Sequence, residues 1–243
     1  MPLHFLVEEA AAAQPGDAVA LTGAEAHHAA AVRRVRAGEQ VTVGDGRGTW
    51  LSGVVESAAA REVVVRVTSR DDIPPVRPRL VLAQALAKGD RDELAVQAAT
   101  ELGVDQIIPW QAARSVSRWD VSKEQKARQR WAGIVREAAK QAHRAWVPDI
   151  APLHTTKDIA ARAAASVVLV LEPSASVALS AIGLPDDGDI VLVVGPEGGI
   201  APEELEALVT GGGRLVRLGD TVLRTSTAGP AALAVVSTAL GRW

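Results

Sequence analysis

The sequence contains no cysteine, which excludes disulfides, thiolate metal sites and a cysteine nucleophile at once. That absence suits a reducing compartment, and the cytoplasm is the expected location. No apolar run approaches the length of a membrane span. The first residues, MPLHFLVEEAAAAQPGD, have no basic stretch ahead of the apolar ones and carry Glu8 and Glu9 early, so they do not read as a signal peptide. Five histidines are scattered without HxxxH or acid-paired spacing, and no metal is expected. GxGxxG is absent and no Gly-Lys-Ser/Thr follows a glycine loop, so the dinucleotide and P-loop readings both fail.

What is present is enough for one large core or two smaller ones: 243 residues, 48% hydrophobic, with a net charge of −3. That charge argues against a uniformly basic nucleic-acid binder, yet it is unevenly placed. Between Arg114 and Arg144 nine Lys or Arg stand against three acids, giving +6, whereas between Glu172 and Asp220 nine acids stand against two arginines, giving −7. The first of these segments can meet phosphate.

Residues 1–73 read mostly as strand, with AVAL, EQVTVGDG, GTWLSGVV and EVVVRVTS separated by turn residues, and predict a small β barrel or sandwich. One helix interrupts them, opened by Thr22 and Glu25 at capping-box spacing and running to Gly38. Pro74, Pro75 and Pro78 then oppose regular structure and place a domain boundary. Across 74–243 apolar strand candidates alternate with helical patterns, which predicts an α/β domain with a mainly parallel sheet.

In such a sheet ligands collect at the carboxyl ends of strands. The apolar run Val191–Val194 stops there at Gly195, Pro196, Glu197, Gly198 and Gly199, either a sharp turn with glycines for geometry or a cradle for a ligand. A second strand end, RLVRLGDTVLRTSTAGPAAL, passes Gly219 and enters a helix from Thr227, with Pro230 in its first turn. A capped terminal helix explains Thr227 and Pro230 but leaves Arg224 unexplained, and together the two loops suggest one pocket. In the long helix, Trp131, Ile134, Val135, Ala138, Ala139, Ala142 and Trp146 form an apolar face, with Arg136, Lys140 and Arg144 one turn apart on the other. That row is either a solvated surface or a strip that tracks phosphates, and His28, Arg33 and Arg34 pose the same choice in the first domain.

The segments HHAAAVRRVRAGEQVTVGDGRG, ALAKGDRDELAVQAATELGVDQIIPW, RWAGIVREAAKQAHRAWVP, VGPEGGI and LGDTVLRTSTA resemble, in this order and nearly end to end, the RsmE family of SPOUT-class, S-adenosylmethionine-dependent 16S ribosomal RNA (uracil-N3) methyltransferases. The resemblance implies an RNA-binding PUA-like β-rich domain and an α/β methyltransferase domain with a deep C-terminal trefoil knot, assembled as a homodimer on small-subunit rRNA. It implies that Gly195, Pro196, Glu197, Gly198 and Gly199 hold S-adenosylmethionine, joined by Leu171 and Glu172, then Leu218, Gly219, Leu223, Thr227 and Ala228. Arg224 is the expected catalytic residue, and His28, Arg33, Arg34, Arg136, Lys140 and Arg144 are the expected RNA contacts. Ser226 stands where the family usually has an acid, so no role of that acid carries over. A non-catalytic RNA-binding protein of the same fold and a methyltransferase of another RNA are the alternatives.

Overall fold

The structure, a computed structural model, describes residues 2–243, apart from the side chain at position 121. Two compact units form. One takes the residues up to Pro75 together with Ala139–Val147; the other takes Val76–Ala138 and Pro148–Trp243.

The first unit is a five-stranded sheet of β1 (Leu3–Leu6), β2 (Ala18–Thr22), β3 (Gln40–Gly44), β4 (Thr49–Ala59) and β5 (Glu62–Asp72), in the order β1-β3-β4-β5-β2. Only β1 with β3 is parallel, and Phe5 lies opposite Val43. Alternating residues bury one face: Val63, Val65 and Val67 on β5 meet Leu51 and Val55 on β4, with Phe5 and Leu21 beside them. β1 escapes the sequence reading because four residues are too few to show a period.

The helix in this unit differs from its expectation. α1 covers only Gly23–His27 and passes into a π-helical turn at His28–Val32, while Arg34 takes φ +55° and ends it well before Gly38. Thr22 makes no side-chain cap, and the buried Glu25 carboxylate, the other half of the expected capping box, accepts instead from Lys140 Nζ at 3.1 Å. A buried carboxylate gains more from a cation than from one backbone N–H. Glycines 46 and 48 take positive φ as a hairpin loop requires, and they also receive the 139–147 segment: Gly48 N donates to Ala145 O and Val147 N to Gly46 O. A Cβ on Gly48 would lie 2.8 Å from the Trp146 ring, so only glycine fits.

The second unit is a six-stranded, wholly parallel sheet of β6 (Arg79–Ala85), β7 (Gln106–Trp110), β8 (Asp149–Ile150), β9 (Ser166–Leu171), β10 (Asp189–Val194) and β11 (Arg214–Val216), in the order β11-β9-β10-β6-β7-β8. Its central strands are apolar runs buried on both faces, as parallel strands covered by helices must be. α2 (Arg91–Glu101), α3 (Val121–Gln141), α4 (Thr156–Ala161), α5 (Pro202–Thr210) and α6 (Thr225–Ala239) complete the helices. α6 begins two residues earlier than the sequence suggests, so Pro230 falls in its second turn rather than its first.

α3 corrects the helical row. It ends at Gln141 and His143 turns to φ +52°, so Arg144 leaves the helix altogether, as do Ala142 and Trp146 of the apolar face. Lys140 is 3% exposed and not on a solvated face, because Glu25 and His28 Nδ1, each 3.1 Å from its Nζ, draw it inward.

Candidate cofactor site

Because all six strands run one way, β9, β10 and β11 deliver their carboxyl ends to one edge. The loops leaving them enclose a cavity of ≈ 460 Å³, within the ordinary range of small-ligand sites. Leu171 and Glu172 close β9 against β11, where Glu172 N donates to Val216 O. The β10 loop turns tightly, with Gly199 N donating to Pro196 O and Gly199 at φ +72°. The β11 loop brings Leu218, Gly219, Leu223 and Arg224 to the wall, and the first turn of α6 adds Ala228. At Gly219 a Cβ would find no atom within 4 Å, so the glycine leaves its main chain open to the cavity.

Two expected residues stand apart from the lining. Gly198 faces the other way, its would-be Cβ 3.3 Å from Arg114 Cβ, and Arg114 Nη1 donates to Gly198 O. Thr227 is exposed on α6, its N–H donating to Arg224 O. Conversely, Arg91, Val194, Ile200, Arg217, Val222 and Thr225 line the cavity without having been singled out from sequence. Arg91 opens a helix remote in sequence, and nothing local connects it to the glycine loop.

The charges around the cavity are arranged unequally. Glu197 accepts from Lys88 N and from Arg91 Nη1, both at 2.9 Å. Burial pushes its carboxyl up, but those donors and its own N–H outweigh burial and hold it below the usual carboxylate range. Glu172 accepts from both the N–H and hydroxyl of Ser174. Arg217 pairs with Asp220. Arg224 is exposed on the cavity wall and makes no side-chain hydrogen bond or ion pair among the described residues, so the bridge to Glu197 that would tie the loops does not form. A guanidinium without a protein partner is available to a ligand.

The expected RNA contacts divide similarly. Arg33 and Arg34 are exposed in the first unit, whereas His28 is half-buried with its Nδ1 toward Lys140 Nζ. Since an ammonium only donates, that nitrogen accepts. Arg136 and Arg144 are half-buried, in the second and first units respectively. Among the described residues no helix is long and apolar enough to cross a membrane, and no group of three or more His, Asp or Glu could hold a metal.

A parallel α/β sheet with loop-built strand ends around a cavity, in a chain that also carries a small β-rich unit, belongs to the class of α/β proteins that bind ligands at the carboxyl ends of their strands. A family model described as RNA methyltransferase domain matches residues 75–237, and one described as RNA methyltransferase PUA domain matches residues 21–68. The Ribosomal RNA small subunit methyltransferase E of Mycobacterium tuberculosis is 45% identical over 233 residues, covering 94% of this chain and 89% of that one. The crystal structure of a Ribosomal RNA small subunit methyltransferase E from Neisseria gonorrhoeae bound to S-adenosyl methionine superposes with TM-score 0.87 at 27% identity, over 98% of both chains. The putative methyltransferase Lpg2936 from Legionella pneumophila, in complex with the cofactor SAM, gives TM-score 0.86 at 30% identity, over 98% of this chain and 97% of that one. The chain belongs to the ribosomal RNA small subunit methyltransferase E family.

Proposed function

We propose that this protein transfers a methyl group from S-adenosylmethionine to N3 of one uridine in small-subunit, 16S ribosomal RNA. The observation that carries this reading is the strand-end cavity with an uncommitted guanidinium on its wall, in a chain of this family. S-adenosylmethionine supplies an electrophilic methyl group on a sulfonium centre. The cavity fits such a ligand on its own terms: its volume is adequate, Leu171, Leu218 and Leu223 offer apolar surface to adenine, and Gly195, Gly199 and Gly219 let main chain approach ribose. Pro196 stiffens the turn, Glu172 and Glu197 give the wall acceptors, and Ala228 leaves room beside the helix.

Arg224 is the catalytic residue in this reading. N3 of uracil becomes nucleophilic as its proton leaves and negative charge spreads to the two flanking carbonyl oxygens. A guanidinium beside them stabilises that charge, since it keeps its own proton and holds its donors rigidly. Held by Lys88 N and Arg91, with its carboxyl below the usual carboxylate range, Glu197 is a poorer base than a free carboxylate.

The N-terminal domain, residues 1–73 joined in the structure by 139–147, is a PUA-like β-rich unit that binds RNA, and the rest of 74–243 is a methyltransferase domain with a trefoil knot at its C-terminal loops. The protein works as a homodimer in the cytoplasm, on the strength of the resemblance. In the first unit Arg33, Arg34 and Arg144, with His28, are phosphate contacts, and in the second unit Arg136 is another; Lys140 is withdrawn from that set by its burial. Tritium transfer from labelled S-adenosylmethionine to small-subunit particles of a strain lacking the protein, followed by nucleoside mapping, tests the activity. Label in 3-methyluridine is the expected result, and binding without label leaves a non-catalytic RNA-binding protein.

A further inference from the structure

Beneath the cavity runs a buried polar chain that methyl transfer does not account for. Gln84, near the end of β6, has no exposed surface, and it lies in register beside Val194, the last residue of β10. Its Nε2 donates to Thr225 Oγ1 at 3.0 Å and to Ala85 O at 3.2 Å. The Thr225 hydroxyl in turn donates to Gly195 O at 2.8 Å. Gly195 opens the glycine loop, and Thr225 closes the loop that leaves β11. One side chain from a third strand thus joins the two loops that wall the cavity, through a hydroxyl used both as donor and as acceptor.

Stability alone does not call for this arrangement. A polar side chain among apolar strands costs free energy unless fully satisfied, and Gln84 Oε1 is buried without a hydrogen-bond partner among the described residues. Leucine would fill the space without that cost. α6 is already seated by packing, since Gly229 sits so close that a Cβ would lie 3.0 Å from Leu82. What the chain adds is direction: it fixes the Gly195 carbonyl and the first turn of α6 at one separation.

We propose that Gln84 is a positioning residue which, through Thr225, sets the gap between the glycine loop and the β11–α6 loop, so that the cavity is formed before the cofactor arrives. The proposal rests on the reading of this cavity as the S-adenosylmethionine site. Calorimetric titration of S-adenosylhomocysteine into Thr225→Val, Thr225→Ser, Gln84→Leu and Ala228→Trp proteins, each with its melting temperature, tests it. Loss of the buried hydrogen bond should weaken binding roughly tenfold in Thr225→Val and Gln84→Leu. Thr225→Ser should retain most of the affinity, whereas in Thr225→Val and Gln84→Leu the KM for S-adenosylmethionine should rise more than kcat falls. Wild-type affinity in a folded Thr225→Val protein, or a Ser variant as weak as the Val variant, overturns the proposal. Unchanged affinity in Ala228→Trp, where a large side chain would fill the cavity, shows instead that the ligand binds elsewhere, and the proposal falls with that reading. Should Gln84→Leu fail to fold, the Val and Ser pair decides alone.

Discussion

The polar groups buried in the first unit and those at the strand ends of the second are used in opposite ways. In the first unit they close on one another: His4 stacks on Trp50 with ring centroids 4.1 Å apart, its Nδ1 is 2.9 Å from Thr42 Oγ1, and Lys140 pairs with Glu25. In the second, main-chain groups and Arg224 face an open cavity. A cluster sealed away from solvent cannot reach a ligand, so its disruption shows as lost stability. An open one has little to do with stability, and its disruption shows as lost rate or binding.

The largest expected effect tests the closed side. Lys140→Ala removes a buried cation paired with the Glu25 carboxylate and should destabilise the protein by about 3–5 kcal/mol, as for other broken buried pairs. Urea unfolding measures this, and a loss below about 1 kcal/mol would mean that the pair is open to water.

On the open side, Arg224→Ala should lower the single-turnover methylation rate by about 10² or more, the scale of losing one transition-state donor, with cofactor affinity nearly unchanged. A wild-type rate with both substrates saturating would end the catalytic assignment. Gly198 sharpens the same contrast: because it faces Arg114, Gly198→Ala should change cofactor affinity by less than about threefold, a modest packing effect. Calorimetry showing a collapse in affinity would put that glycine against the ligand after all.

Histidine 4 supplies the pH test. Burial first, then the nearby His143 and Lys140, push its pKa down to about 3 from 6.5. The unfolded chain therefore binds a proton that the folded chain refuses between those values. Stability from this group is complete above pH 6.5 and falls with decreasing pH toward 3, with a limiting slope of about 1.4 kcal/mol per pH unit. His4→Gln should flatten that slope in unfolding measured from pH 7 to 4; an unchanged slope would place the titration elsewhere.

The smallest effect concerns RNA. Arg33→Ser with Arg34→Ser should reduce the slope of log affinity against log salt by roughly two charge units if both meet phosphate. An unchanged slope returns them to ordinary solvated surface.

Much of the second unit is legible in the chain itself, because its strands are local apolar runs and its turns carry their own glycines and proline. Leu82, Leu169 and Leu192 lie in apolar runs that announce buried strands, Gly195 and Gly219 follow the strand ends, and Arg224 stands at the entry to α6. The direction of a side chain is a different matter. Gly198 stands inside the glycine loop yet faces Arg114, 84 residues away, and Glu197 takes Arg91 rather than Arg224.

By itself the sequence determined where apolar surface is buried, where the chain must turn, and which strand ends pass into glycine-bearing loops, since each depends on the conformational preferences of a few adjacent residues. Only the tertiary structure decided which polar groups are consumed. Capping-box spacing describes Thr22 and Glu25 correctly as neighbours, but Glu25 is claimed by Lys140, 115 residues on; Gln84 reads as one polar residue in an apolar strand until Thr225 reaches it from 141 residues away. In a low-dielectric interior a hydrogen bond or ion pair goes to whatever partner packing brings within about 3 Å, and distance along the chain has no part in that choice.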